Sequence, residues 1–174
     1  MFDLTSLLAT TTEFIRANQA WAPAIVFVVA FGESVALVSF FIPATALLLA
    51  FGALIEASDL SLAPIWLSAT IGATLGDALS YWIGWRYKDQ ARGFWPLSRR
   101  PDLVEKAEAF FHRFGFWSVA IGRFFGPLRA VIPLVAGILA MRQLHFQVAN
   151  VGSAALWAFA MLAPGAAALK LMGH

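Results

Sequence analysis

The sequence predicts an all-α integral membrane protein: an inverted repeat of a re-entrant helical hairpin plus a transmembrane helix, with an interfacial amphipathic helix between the repeats. Three observations predict it. Hydrophobic residues make up 60% of the chain and charged residues 13%, against about 45–50% and about 25% in soluble domains. Four apolar runs follow one another, two of ordinary spanning length and two interrupted by proline or glycine and by charge. The interrupted runs also share a pattern, since GESVALVSFFIP at 32–43 and GRFFGPLRAVIP at 122–133 repeat Gly, a charged residue and Ile-Pro at an offset of 90.

At 174 residues the chain is one domain by length. Residues 1–20, MFDLTSLLATTTEFIRANQA, lack the basic start and short apolar core of a cleaved signal peptide. They read as a mildly amphipathic interfacial segment that stays on the mature protein.

Residues 21–86 form the first repeat. The run 21–55 is 35 residues long, too long for one straight span and too short for two with a turn; Glu33 is its one ionisable residue and Pro43 interrupts it. Backbone groups freed by a break at membrane depth must be satisfied by protein or a water-filled cavity. That favours a re-entrant hairpin over a long, tilted, kinked span. Residues 63–85 then make a 23-residue span with one charge, Asp77, long enough at 1.5 Å per residue for a hydrocarbon core of about 30 Å. On it Gly72, Gly76, Ser80 and Gly84 recur every four residues, a small-residue face that lets another helix approach closely. Asp77 and Tyr81, at i and i+4, project together from a neighbouring stripe. A buried hydrogen bond from Asp77 to Tyr81 or to backbone that merely orders the bundle stands beside a functional role for the carboxylate.

Residues 87–115 connect the repeats. Arg86, Lys88, Arg92, Arg99, Arg100, Lys106 and Arg113 gather at this segment, which the positive-inside rule places in the cytoplasm. Next to a span such charges mark orientation or anionic headgroups, and no nucleic-acid motif accompanies them. In SRRPDLVEKAEAFFHRFG, Pro101 opens a helix, Asp102 and Glu105 come early, Arg113 late and Gly115 just beyond, as capping and the helix dipole favour. Leu103, Ala107, Phe110 and Phe114 form one apolar stripe. The helix therefore lies in the interface, unless the stripe finds a protein partner instead.

Residues 116–170 form the second repeat. The run 114–141 carries Arg123, Gly126, Pro127, Arg129 and Pro133 and reads as a second hairpin, while 146–169 is a 24-residue span without charge. With one span between the copies, the second hairpin enters from the opposite membrane face and the two tips meet near the midplane. Glu33 from one copy then faces Arg123 and Arg129 from the other, because an intramembrane carboxylate is expensive unless it is paired or wet. A plain ion pair that holds the hairpins together is one reading. The other is a site in which desolvated Glu33 and Asp77 exchange protons while the arginines bind and release an anion. Arginine suits phosphate, since its planar fork stays charged and binds bidentately.

The chain has no cysteine, and its three histidines, His112, His145 and His174, are scattered, so neither a metal site nor a cofactor is expected. No lipid-phosphatase histidine pattern, paired-aspartate metal motif or Ser/His/Asp set can be assembled in the spans, and no enzyme is expected.

The stretches GRFFGPLRAVIPLVAG, GDALSYWIGWR and Glu33 to Pro43 resemble the DedA family, also described as the SNARE-associated or VTT domain superfamily, from about residue 32 to 169. Arg123, Gly126, Pro127, Arg129, Pro133, Ala136 and Gly137 stand where the family signature has them, and Glu33 and Asp77 match its hairpin acid and the acid of its Gly-Asp motif. Pro43-Ala44-Thr45 departs from the family, which usually carries an acid after Pro-Gly. The resemblance implies two re-entrant hairpins with spans in a bacterial inner membrane. It also implies carriage of undecaprenyl phosphate, or flipping or scrambling of phospholipid, with links to the proton motive force.

The expectation is a proton-linked lipid-phosphate transporter with substrate at Arg123, Arg129, Glu33 and Asp77, supported by Tyr81, Pro43, Gly126, Pro127 and Pro133. Its partners are an anionic membrane lipid and protons, with no nucleic acid; a homo-oligomer is compatible with the sequence. The alternative is a membrane-embedded scaffold for envelope integrity that recruits partners through the Gly72, Gly76, Ser80 and Gly84 face.

Overall fold

The computed structural model describes residues 19–36, 61–95, 97–125 and 128–171, as backbone only beyond residue 163. Residues 1–18, the second half of the first interrupted run with Pro43, and Gly126 and Pro127 lie outside the described residues. The described chain is helical, with short turns between elements.

A 3-10 turn at Gln19–Trp21 leads into α1, Ala22–Ser34. Pro23 pre-sets the helical φ in its first turn. At 13 residues α1 is about 20 Å long, short of the roughly 30 Å a membrane core demands. α2, Leu62–Tyr87, has 26 residues and α6, Gln143–Leu171, has 29; these two helices are long and apolar enough to cross a membrane. Leu67, Ile71, Leu75 and Leu79 on α2 and Leu144, Val148, Val151, Leu156 and Phe159 on α6 point outward. Charged side chains are meanwhile buried inside. Apolar outside and charged inside is the arrangement a lipid solvent favours.

The small-residue face of α2 is filled by the chain itself. α1 lies along its first half, where a methyl added at Gly72 would stand 2.5 Å from the Phe27 carbonyl oxygen and one at Gly76 2.5 Å from that of Phe31. Ser80 Oγ donates to the Ser34 carbonyl at 3.1 Å and accepts from the Ala36 N–H at 2.9 Å. Further along, Gly84 meets the Leu134 carbonyl of α5 and Gly137 of α5 meets the Tyr81 carbonyl of α2, so two backbones touch at reciprocal glycines. The expected close approach is present. α1 and α5 cover this face, so it is not the open surface through which the scaffold alternative would recruit a partner.

Between the long helices, a 3-10 turn at Lys88–Gly93 and another at Leu97–Arg99 lead to α3, Pro101–Phe114. Pro101 stands at its start, Asp102 in its first turn, His112 and Arg113 in its last, and Gly115 closes it with φ +52°, the left-handed conformation that glycine adopts without steric penalty. Leu103, Val104 and Ala107 are buried with α5 residues in one core cluster, and Phe110 packs on Phe125 at 5.7 Å between centroids. The stripe has thus found a protein partner, and α3 covers α5 and Phe125 with part of the face expected to lie in lipid.

α4, Trp117–Gly122, and α5, Leu128–Ile138, flank the break in the second interrupted run. They pack on each other, Gly122 leaving room for the Ile132 side chain. Phe116, just before α4, meets His145, near the start of α6, at 6.1 Å, so the chain enters and leaves the α4–α5 pair at the same end of the bundle. Pro133 departs from expectation. It lies inside α5 and does not break it; having no N–H, it leaves the Arg129 carbonyl without its usual helical donor.

Candidate functional site

Two apolar clusters occupy opposite ends of the bundle. One joins Val26 and Ala30 of α1, Ile65, Ala69 and Ala73 of α2, and Trp157, Ala158 and Leu162 of α6. The other joins Tyr81 of α2, Leu103 and Ala107 of α3, Val131, Ile132, Leu134, Val135 and Ala136 of α5, and Phe146 and Ala149 of α6. Between them on α2 lies Asp77, and between them on α6 lie Asn150 and Ser153, all buried. Glu33, at the end of α1, Arg123, just beyond α4, and Arg129, in the first turn of α5, complete a buried polar layer.

Arg123 is held from three sides. It forms an ion pair with Asp77, its Nε donates to Ser153 Oγ at 3.0 Å, and its Nη2 donates to Asn150 Oδ1 at 2.6 Å. Asn150 is oriented in turn, its amide donating to the Thr74 carbonyl at 3.0 Å and to Gln147 Oε1 at 3.4 Å. Arg129 is held differently. Its Nη1 donates to Glu33 Oε1 at 2.7 Å, and its guanidinium lies over the Trp157 ring at 3.9 Å, a cation–π contact strengthened where water is scarce. Arg123 Nη1 and Arg129 Nε and Nη2 have no hydrogen-bond partner among the described residues, although all three are buried.

Each of these two ion pairs thus joins an acid of α1 or α2 to an arginine at the end of α4 or the start of α5, and the predicted Glu33, Asp77, Arg123 and Arg129 come together in one layer. Tyr81 does not bond to Asp77. Its hydroxyl donates to the Met141 carbonyl, and its ring stacks on Phe146 at 4.4 Å, so it ties α2 to the turn before α6. Pro43, Gly126 and Pro127 lie outside the described residues.

The VTT domain family matches residues 42–167. The inner membrane protein YabI of Escherichia coli K12 is 35% identical over 157 residues, 90% of this chain and 62% of YabI. Protein DedA of the same organism is 32% identical over 149 residues, 83% of this chain and 68% of DedA. The chain belongs to the DedA family. The inner membrane protein YqjA of Escherichia coli K12 is similar too, 32% identical over 135 residues, covering 76% of this chain and 61% of YqjA. This DedA-family chain spans about 62% of the length of YabI. No solved structure matches it.

Sequence reasoning on this DedA-family chain missed Asn150, Ser153 and Trp157. Their signal was available: Gln147, Asn150 and Ser153 recur every three residues in a span otherwise free of strongly polar groups near its centre. Residues at such spacing share a helix face. Trp157, four residues after Ser153, continues that face as the surface on which Arg129 rests.

Proposed function

We propose that this protein is a multi-pass protein of a bacterial inner membrane that translocates a lipid phosphate, either undecaprenyl phosphate or a phospholipid, with the buried arginines receiving the phosphate and the acyl or prenyl tail staying in the bilayer. The observation that carries the reading is the set of buried guanidinium N–H groups without a hydrogen-bond partner among the described residues, on Arg123 and Arg129. A buried donor left unmade costs about 1–3 kcal/mol, more for a charged group. Phosphate oxygens are the complementary acceptors, and they match the arginine fork in charge and geometry.

In a bilayer α4 and α5 read as a re-entrant hairpin whose turn carries Arg123 to the depth of Asp77, near the middle of the long helices. α1, with Glu33 in its last turn, reads as the first limb of its counterpart from the opposite face, with Glu33 in the position that Arg123 holds 90 residues later. Asp77 and Glu33 act as internal stand-ins for the phosphate, holding the arginines when substrate is absent. Protonation of either acid frees its arginine for the lipid, which links transport to protons. The proposed activity moves a lipid without making or breaking a covalent bond.

The test is flux of fluorescent undecaprenyl phosphate, beside a fluorescent phospholipid, across vesicles holding the purified protein. Arg123→Ala, Arg129→Ala and Glu33→Gln, each shown to be inserted and folded, are expected to lose flux that the wild type supports. Flux retained in both arginine variants overturns the assignment. So does a wild type that is folded and inserted yet moves neither lipid.

A further inference from the structure

A second recess lies beside the buried layer, and none of the four ion-pair residues lines it. It is a cavity of about 360 Å³ lined by Tyr81, Trp82 and Trp85 of α2 together with Ala140 to Gln143 and Gln147. It sits at the end of the bundle where α2 meets the basic connecting segment. Trp82 and Trp85 are half exposed, as aromatic side chains are at a membrane–water boundary. Arg142 is exposed in the lining, and Lys88 Nζ lies 5.8 Å from the centre of the Trp85 ring. Among the described residues, no carboxylate lines the cavity. The start of α6 also forms part of the wall, and backbone N–H groups at a helix start add positive potential.

The wall of this cavity is also the wall of the buried layer. Gln147, which lines the cavity, accepts from Asn150 at 3.4 Å, and Asn150 accepts from Arg123 at 2.6 Å. On the other side Ala78 lines the cavity and follows Asp77 in sequence. One polar side chain, Asn150, therefore separates Gln147 from the arginine. The turn at this place is strained, because Ala140, in the lining, holds φ +52°. Non-glycine residues adopt that conformation at an energetic cost, and such strain gathers at sites that work.

We propose that this cavity binds the phosphate-bearing headgroup of an anionic lipid, with Arg142 as the phosphate ligand, Trp82 and Trp85 flanking the headgroup at the bilayer boundary, and Gln147 as the step inward toward Arg123. The site is a vestibule: it receives a lipid from the leaflet beside the basic segment before the buried arginines take it. As a step in transport the vestibule rests on the function proposed above, but its capacity to bind an anionic headgroup does not. The outward Leu75 and Leu79 of α2 leave an apolar surface beside Trp82 for the tails.

Binding is read separately from flux by quenching of Trp82 and Trp85. Vesicles of phosphatidylcholine containing a small fraction of brominated phosphatidylglycerol, or the same fraction of brominated phosphatidylcholine, supply the quencher. Trp82→Phe/Trp85→Phe gives the background from other tryptophans. The wild type is expected to be quenched preferentially by the anionic lipid. Arg142→Gln is expected to weaken that preference roughly tenfold in effective affinity, the loss of one charge-assisted contact. Arg142→Lys is expected to retain most of it, and Arg123→Ala all of it while losing flux. Inorganic phosphate at millimolar concentration is expected not to compete, since it lacks the tails; full competition would reassign the site to a free anion and overturn the lipid claim. Equal quenching by both lipids in the wild type, or an Arg142→Gln variant indistinguishable from wild type, overturns the vestibule whatever happens to flux. Loss of anionic preference in Arg123→Ala overturns its separateness from the buried site. Flux retained in both buried-arginine variants with the quenching pattern intact would instead overturn the transport reading and leave the headgroup site standing.

Discussion

Arg123 and Arg129 are both paired to acids but are held by different means, and the difference predicts different responses to substitution. Arg123 has hydrogen-bond partners on two helices, so removing Asp77 strands a fixed, buried charge. Asp77→Asn is expected to destabilise the protein by about 3–5 kcal/mol. Asp77→Asn/Arg123→Gln should restore a large part of the loss, because no isolated charge remains. Thermal unfolding in detergent around the double-mutant cycle measures this coupling. Arg129 rests on an aromatic face, so Trp157→Leu keeps the site apolar but removes the π surface and leaves a small cavity beside the guanidinium. It is expected to weaken the hold on Arg129 by about 1–2 kcal/mol and, through the cavity, to lower the unfolding midpoint as well; Trp157→Phe, which keeps a π face, is expected to retain more flux than Trp157→Leu. Ala140 gives the opposite sign. Its φ of +52° suits glycine, so Ala140→Gly is expected to raise stability by about 1 kcal/mol, read in the same unfolding assay.

At the scale of elements, the contact of α2 with α5 has no side chains between the backbones at Gly84 and Gly137. A methyl at either position meets backbone, which cannot swing aside as a side-chain tip can. Gly84→Ala and Gly137→Ala are each expected to abolish the monodisperse folded protein in size-exclusion chromatography. Gly93→Ala, where nothing lies within reach of the added methyl, is expected to leave it unchanged. These elements also show how far the sequence could be read. The spans, the small-residue face, the capped helix from Pro101 to Gly115 and the acid–arginine complementarity are written in local spacing and composition, which one chain displays by itself. The choice of partners is not, since which acid meets which arginine depends on how helices far apart in sequence are set side by side. Tyr81 illustrates this: its i, i+4 spacing from Asp77 is real, yet the hydroxyl goes to Met141, a partner 60 residues away. Pro133 illustrates the converse, since a local helix-breaking signal is overridden inside a well-packed helix.

For the whole molecule, the two ends of the α4–α5 pair emerge together. The chain has no native cysteine, so single cysteines placed at Trp117 and at Leu144, both exposed, can be labelled one at a time in sealed vesicles of uniform orientation. Both are expected to react with an impermeant maleimide from the same side. Reaction from opposite sides would mean that the pair crosses the bilayer and would remove the re-entrant reading.

The buried polar layer lies between two apolar clusters, one toward each end of the bundle. In electrical terms, within a bilayer, these are two thin insulators in series with a polar plate between them whose two ion pairs cancel in formal charge. When water reaches the layer from one end, the plate takes on the potential of that end, and the whole membrane voltage falls across the cluster still closed. A unit charge then gains or loses about 2.3 kcal/mol for every 100 mV over a distance well short of the membrane's thickness. On the transport function proposed above, any net charge that entered the layer from one side and left by the other would work with or against the full voltage while moving only a short way itself.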